Sequence, residues 1–136
     1  MDGHIWKTNG NTAIKVFEHD RVYHCELACY LRLRDLNVEK INELNVPRLL
    51  DYDDELQIIE MAVVTRPYIL DFGKCYLDAA PQHTPEVMRD WEEMYAEMWE
   101  EKWPRVKKIL WQLKQLGIHY MDPKPGNIMF ADEGDK

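Results

Sequence analysis

Near its carboxyl end the 136-residue chain reads His119-Tyr120-Met121-Asp122-Pro123-Lys124-Pro125-Gly126-Asn127-Ile128-Met129-Phe130, which sets an acid, a base and an amide within six residues. Each type has a use in moving a phosphoryl group. A carboxylate at Asp122 accepts a proton from a hydroxyl nucleophile, an ammonium at Lys124 neutralises the group in transit, and the carboxamide oxygen of Asn127 ligates Mg2+. Pro123 and Pro125 stiffen the loop that would hold them. A short apolar strand follows from Ile128.

The upstream segments must bring partners to that loop. Residues 4–8 and 12–17 are β-prone and flank Asn9-Gly10-Asn11, which predicts a hairpin with positive φ at Asn9 and Gly10. From residue 20 to about 34, Val22, Tyr23, Leu27, Tyr30 and Leu31 recur at three- and four-residue steps, the pattern of a helix with one buried face, and Asp20 is placed to cap it. Residues 46–52 and 56–64 predict a second hairpin around Asp53-Asp54, with Pro47 confining the first strand to an edge or a strand start. Residues 65–84, with Pro67 and Pro81, read as a linker. Thr84 as N-cap and Pro85 in the first turn then start a helix over 85–102. That helix carries Met88, Trp91, Met94, Tyr95, Met98 and Trp99 on one side, a stripe read as core, and a dense set of glutamates on the other. Trp103-Pro104 breaks it, and a second amphipathic helix over 105–116 ends at Gly117. The layout is α+β: a small sheet with one helix over 1–64, a linker over 65–84, and a helical part with the acid–amide loop over 85–136.

Composition limits the partners. With 46% apolar residues the chain closes one core. Lysine and arginine number 17 against 25 acids, a net charge of −8 that repels phosphate backbones and anionic lipid, so neither nucleic acid nor a membrane surface is expected. The start, Met1-Asp2-Gly3-His4, has no export signal, and no run approaches the roughly 20 apolar residues of a membrane span. Three cysteines, Cys25, Cys29 and Cys75, show no disulfide-framework spacing; a cytoplasmic location is expected. Together with His24, Cys25 and Cys29 have zinc-ligand chemistry but lack a fourth ligand at local spacing, so they read as structural.

The loop at 122–127 resembles the catalytic loop of the protein kinase superfamily, Asp-x-Lys-Pro-x-Asn before a short strand. Other segments resemble the family in the same order. Ala13-Ile14-Lys15-Val16 is similar to the strand whose lysine holds the α- and β-phosphates of ATP, and Glu26 is placed like the helix glutamate that orients it. Ile59-Glu60-Met61 is similar to the hinge that meets the adenine, and Gly3 matches the last glycine of the phosphate-covering loop. The resemblance implies catalytic roles for Asp122 and Lys124, nucleotide contacts from Lys15, Glu26, Glu60, Met61 and Gly3, and a metal contact from Asn127, with ATP and Mg2+ as cofactors.

Departures from the pattern bear on activity. The family's His-Arg-Asp becomes Tyr120-Met121-Asp122, with no arginine before the acid. The sequence stops nine residues after Asn127, ahead of the point where the family carries its Asp-Phe-Gly metal ligand. A literal Asp71-Phe72-Gly73 lies between the hinge-like strand and the loop, out of order, and reads as an ordinary loop with Phe72 buried; Asp132, Glu133 and Asp135 read as a solvated tail. The expectation is a shortened kinase-like protein that binds ATP, with phosphotransfer to a hydroxyl weak or lost. The alternatives are a pseudokinase scaffold without nucleotide and an unrelated α+β interaction module. If the family's arrangement is kept, the helical half is expected to cover the apolar surface it leaves by folding back or by pairing with a second copy or a protein partner.

Overall fold

The computed structural model describes residues 4–131. Two hairpins build its first sheet. Strands β1 (His4–Lys7) and β2 (Thr12–Val16) pair antiparallel, as do β5 (Leu49–Asp53) and β6 (Ile58–Ala62), and the sheet runs β1-β2-β6-β5. The first turn differs from expectation. Residues 8–11 form a longer loop closed by Thr8 N–H donating to Thr12 O at 2.9 Å, and the residue with positive φ is Asn11 (62°). A threonine pair at 2.6 Å across the loop base, Thr8 Oγ1 to Thr12 Oγ1, favours this wider closure. Strand β5 is an edge strand, which accommodates Pro47 just before it.

Helix α1 (Asp20–Asp35) lies against this sheet and buries Tyr23, Glu26, Leu27, Tyr30 and Leu33, a stripe at helical spacing. Its N-cap is His19, not Asp20; Asp20 is the first helical residue, and its carboxylate accepts from Gln57 Nε2 at 2.8 Å. That contact ties the helix start to the β5–β6 turn.

The stretch expected to be a linker is built into the core. It contains β7 (Tyr68–Ile69) and β8 (Cys75–Leu77). Strand β7 pairs antiparallel with β10 (Ile128–Met129) and sits beside β4 (Leu44–Asn45), which pairs with β3 (Lys40–Ile41), in a second sheet of order β10-β7-β4-β3. Strand β8 pairs antiparallel with β9 (Ile118–Tyr120). Ile69, Ile118 and Ile128 are fully buried there.

Between β8 and β9 the chain makes a helical excursion through α2 (Pro85–Trp99), a short 3-10 turn (Glu100–Lys102) and α3 (Trp103–Gln115). Thr84 caps α2 as expected, its Oγ1 accepting from Val87 N–H at 3.2 Å. The break, however, is at Glu100 (φ 56°, ψ −126°), and Pro104 sits in the first turn of α3, where a missing N–H costs nothing. The inward face of α2 is Tyr95 and Trp99 with Trp91 partly buried; Met88, Met94 and Met98, read as core, are exposed. Gly117 (φ 80°) ends α3, and its carbonyl accepts from Asp78 N–H at 2.7 Å, so the two ends of the excursion meet. The Arg32 guanidinium grips the Asp78 carboxylate at 2.6 and 3.0 Å and reaches Leu116 O at 3.3 Å, fixing α1 to the same junction. Among the described residues no helix is long and apolar enough to cross a membrane.

Candidate functional site

Lys15, next to last in β2, points toward α1, and its side chain is 3% exposed. A lysine buried that deeply requires a counter-charge, which Glu26, itself 1% exposed, supplies: Nζ to Oε1 is 3.0 Å. A second acid stands behind it, Asp71 Oδ1, at 3.9 Å from the same ammonium.

These groups form one wall of a cavity of about 380 Å³. Gly126 and Asn127 also line it, as do the apolar residues Ile5, Ala13, Met61 and Val64. Gly126 has φ 100°, a conformation that favours glycine, and a Cβ there would meet nothing within 4 Å, so the backbone borders open space. The lining therefore combines apolar side chains with a cation, acids and an amide.

The strand pairs explain how Asp71 arrives there. In the β7–β10 register Ile69 faces Ile128, and Leu70 N–H donates to Asn127 O at 2.8 Å, which sets Asp71 beside Asn127. Phe72 is buried as expected, lying edge-on to Tyr30 at 5.4 Å and to Tyr120 at 5.5 Å. Gly73 passes so close to α1 that a Cβ would fall 2.5 Å from Val22 Cγ1. Each member of this triplet thus has its own task, and the first of them, read from sequence as part of an ordinary loop, faces the cleft.

The acid–amide loop joins β9 to β10. Asn127 Nδ2 donates to Asp122 O at 3.3 Å, which bridges the loop internally and leaves the carboxamide oxygen for other use. The Asp122 carboxylate is about one-fifth exposed, and its two oxygens differ. Oδ1 accepts from the Tyr95 hydroxyl at 3.0 Å; Oδ2 faces Lys124 Nζ at 3.5 Å and Lys74 Nζ at 3.7 Å. Burial first, and then the hydrogen bond to Asp122, push the Tyr95 phenol up to about 12. On either side Trp91 Nε1 donates to Met121 O at 3.2 Å and Trp99 Nε1 to Pro123 O at 2.5 Å.

Of the residues singled out by sequence, Lys15, Glu26, Met61 and Asn127 share the cavity, and Asp122 and Lys124 stand on the same loop as Asn127. Glu60 stands apart from them. It lies mid-strand in β6, paired with Ile14 on one side and Asp51 on the other, and its carboxylate accepts from Thr12 Oγ1 at 2.8 Å. The segment that borders the cavity begins one residue later, at Met61. Gly3, Asp132, Glu133 and Asp135 lie outside the described residues. Asp71, Lys74 and the α2 aromatics were missed; Trp91, Tyr95 and Trp99 at steps of four carried a readable signal, whereas Asp71 required the strand pairing. Among the described residues no group of three or more His, Cys, Asp or Glu side chains is placed to hold a metal. Comparison of the chain with protein-family models, curated proteins and solved structures gave no match.

Proposed function

We propose that the cleft binds ATP with Mg2+ and transfers the terminal phosphoryl group to a hydroxyl, in a protein-kinase-like arrangement. One observation carries the reading: a buried Lys15–Glu26 pair at 3.0 Å opens on a cavity whose wall also holds Asp71 and Asn127. The residues fit the groups invoked. The apolar lining residues Ile5, Ala13, Met61 and Val64 suit a purine face, and Lys15 presents a fixed cation to phosphate oxygens. A carboxylate and a carboxamide oxygen, from Asp71 and Asn127, are the kind of sparse protein ligand set that Mg2+ takes when phosphate and water complete its shell. When bound, Mg2+ supplies charge neutralisation on the phosphates.

The chain's own groups do the rest. Lys15 is held by Glu26 and Asp71 before nucleotide arrives, so its charge needs no reorganisation. The acceptor hydroxyl gives its proton to Asp122 Oδ2 as its oxygen bonds to the terminal phosphorus, and the bond to the bridging oxygen breaks with its electron pair leaving on ADP. Lys124 and Lys74, flanking Oδ2, oppose the negative charge of the group in transit. Weak transfer was expected because no metal carboxylate stood in the usual order; the position of Asp71 on the cavity, 3.9 Å from Lys15 Nζ, supports assigning that part to it.

The test is a Mg-ATP titration followed by thermal shift, repeated on Lys15→Ala. The wild type should be stabilised by about 2.7 kcal/mol at a hundredfold excess over Kd, and the variant should not respond. Transfer of the γ-phosphate to a generic protein substrate should then fall by about a hundred- to ten-thousandfold in Asp122→Ala. A flat response in both proteins would leave the second reading, an interaction module without nucleotide, pairing with a protein or a second copy; the exposed Val87, Met88, Met94 and Met98 on α2 favour it.

A further inference from the structure

The loop 121–123 is irregular backbone, yet α2 meets each of its three residues with one aromatic donor. Trp91, Tyr95 and Trp99 recur every four residues, so they stack along one face of α2. Their donors reach, in order, Met121 O, Asp122 Oδ1 and Pro123 O. Two indole N–H groups hold backbone carbonyls, and only the phenol touches the carboxylate.

The phenol itself is immobilised. Its ring lies 4.9 Å from Trp91 and stacks on Trp103 at 6.4 Å, while Trp99 packs edge-on to Phe130 at 5.9 Å. A carboxylate free to turn about its last torsion would exchange its two oxygens. With Oδ1 engaged at 3.0 Å, Oδ2 stays toward Lys74 and Lys124, both beyond ordinary hydrogen-bond length at 3.7 and 3.5 Å.

We propose that Tyr95 is a positioning residue that fixes the orientation of Asp122, so that Oδ2 is the oxygen that takes the acceptor proton, with Trp91 and Trp99 setting the backbone on either side. The proposal rests on the reading of Asp122 as general base. It assigns to α2 a role in the reaction that its place as a helix behind the loop does not by itself imply.

Tyr95→Phe retains the ring and its contacts and removes one hydroxyl. Displacement of a reacting group by a fraction of an ångström lowers turnover by about ten- to a hundredfold, so kcat should fall by that much while KM for Mg-ATP stays within about twofold. The same substitution placed on Asp122→Ala should cause no further loss, because the hydroxyl then has no carboxylate to orient; a purely structural role would cost equally in both backgrounds. Trp99→Phe, which frees a carbonyl and not the carboxylate, should lower kcat less than Tyr95→Phe does. Urea unfolding of each variant confirms that the compared proteins are folded. A kcat for Tyr95→Phe within twofold of wild type, with transfer still dependent on Asp122, overturns the positioning role alone. Transfer by Asp122→Ala within about tenfold of wild type overturns the general-base reading and the positioning role with it.

Discussion

Lys15→Met tests the cleft most directly, because methionine keeps an unbranched stem of similar length and only the ammonium is lost. That ammonium stands 3.0 Å from Glu26 Oε1 and 3.9 Å from Asp71 Oδ1. At an effective dielectric of about 20 the two attractions are each on the order of 4–6 kcal/mol before desolvation is counted. Removing one member of a buried pair has a net cost of about 3–5 kcal/mol, since the remaining charge stays out of water without a counter-charge. Glu26, 1% exposed, would lose its ammonium partner and keep Asp71 nearby as a like charge. Against a total stability of about 5–15 kcal/mol the variant should fold but melt roughly 10–20 °C lower. Urea denaturation followed by tryptophan fluorescence reads the loss. Lys15→Met/Glu26→Leu removes both charges and should recover most of it, while its response to Mg-ATP stays absent. A single variant within about 1 kcal/mol of wild type, or a double variant no more stable than the single, would refute the buried pair.

Three further outcomes are expected. Asp71→Asn leaves Lys15 with Glu26, so stability should change little, but γ-phosphate transfer should fall by about a hundredfold or more, with nucleotide binding in the absence of Mg2+ retained; calorimetry with and without the metal separates the two. Glu100 adopts φ 56°, ψ −126°, a region suited to glycine, so Glu100→Gly should raise the unfolding free energy read from urea denaturation by about 1 kcal/mol once the added freedom of the unfolded glycine is subtracted from the relieved strain. Burial, joined for Tyr30 by the charges of Glu26 and Asp71, raises the phenols of Tyr30 and Tyr120 well above their ordinary value. A raised value in the fold means full stability below about pH 10 and a loss above it, roughly 1.4 kcal/mol per pH unit for each ring. Urea midpoints from pH 8 to 11 should therefore fall steeply above 10, and Tyr30→Phe should shallow the slope.

Where local chemistry decides an element, the sequence was legible. Both hairpins, α1, the Thr84-Pro85 start of α2 and the Gly117 stop follow from periodicity and capping residues. The strands β7 and β10 are two residues long and β8 three, too short to print an alternation, so they were hidden inside a stretch rich in turn residues or reduced to an apolar fragment. The Met side of α2 misled for another reason: methionine and aromatic residues both count as apolar, but only Trp91, Tyr95 and Trp99 lie at the angle that meets the loop, and the methionines lie outside it. In the site, Lys15 and Glu26 were readable because a strand and the next helix constrain them locally. The hinge-like segment was legible as a β-strand, and the cavity is lined by its continuation from Met61 to Val64, with the Glu60 carboxylate turned to Thr12.

Asp71 was set aside because it precedes the acid–amide loop along the chain, yet the fold brings it to the cavity that Asn127 also lines, 3.9 Å from Lys15 Nζ. Two strand pairs, β7 with β10 and β8 with β9, join residues 68–77 to residues 118–129. The connection within the first segment carries Asp71 and Lys74; the connection within the second carries Asp122, Lys124 and Asn127. Antiparallel pairing lays the two connections side by side whichever is made first, because a ladder hydrogen bond depends on register and not on chain order. The residues between them leave at Asp78 and return at Gly117, two positions joined by a 2.7 Å hydrogen bond, so the excursion through α2 and α3 closes on itself and leaves the pairing undisturbed. What the excursion adds is the aromatic face behind the loop. The acids of the cleft are therefore set by two short ladders, and a one-residue slip of β7 against β10 would move Asp71 away from Lys15 even with every residue of the cleft retained.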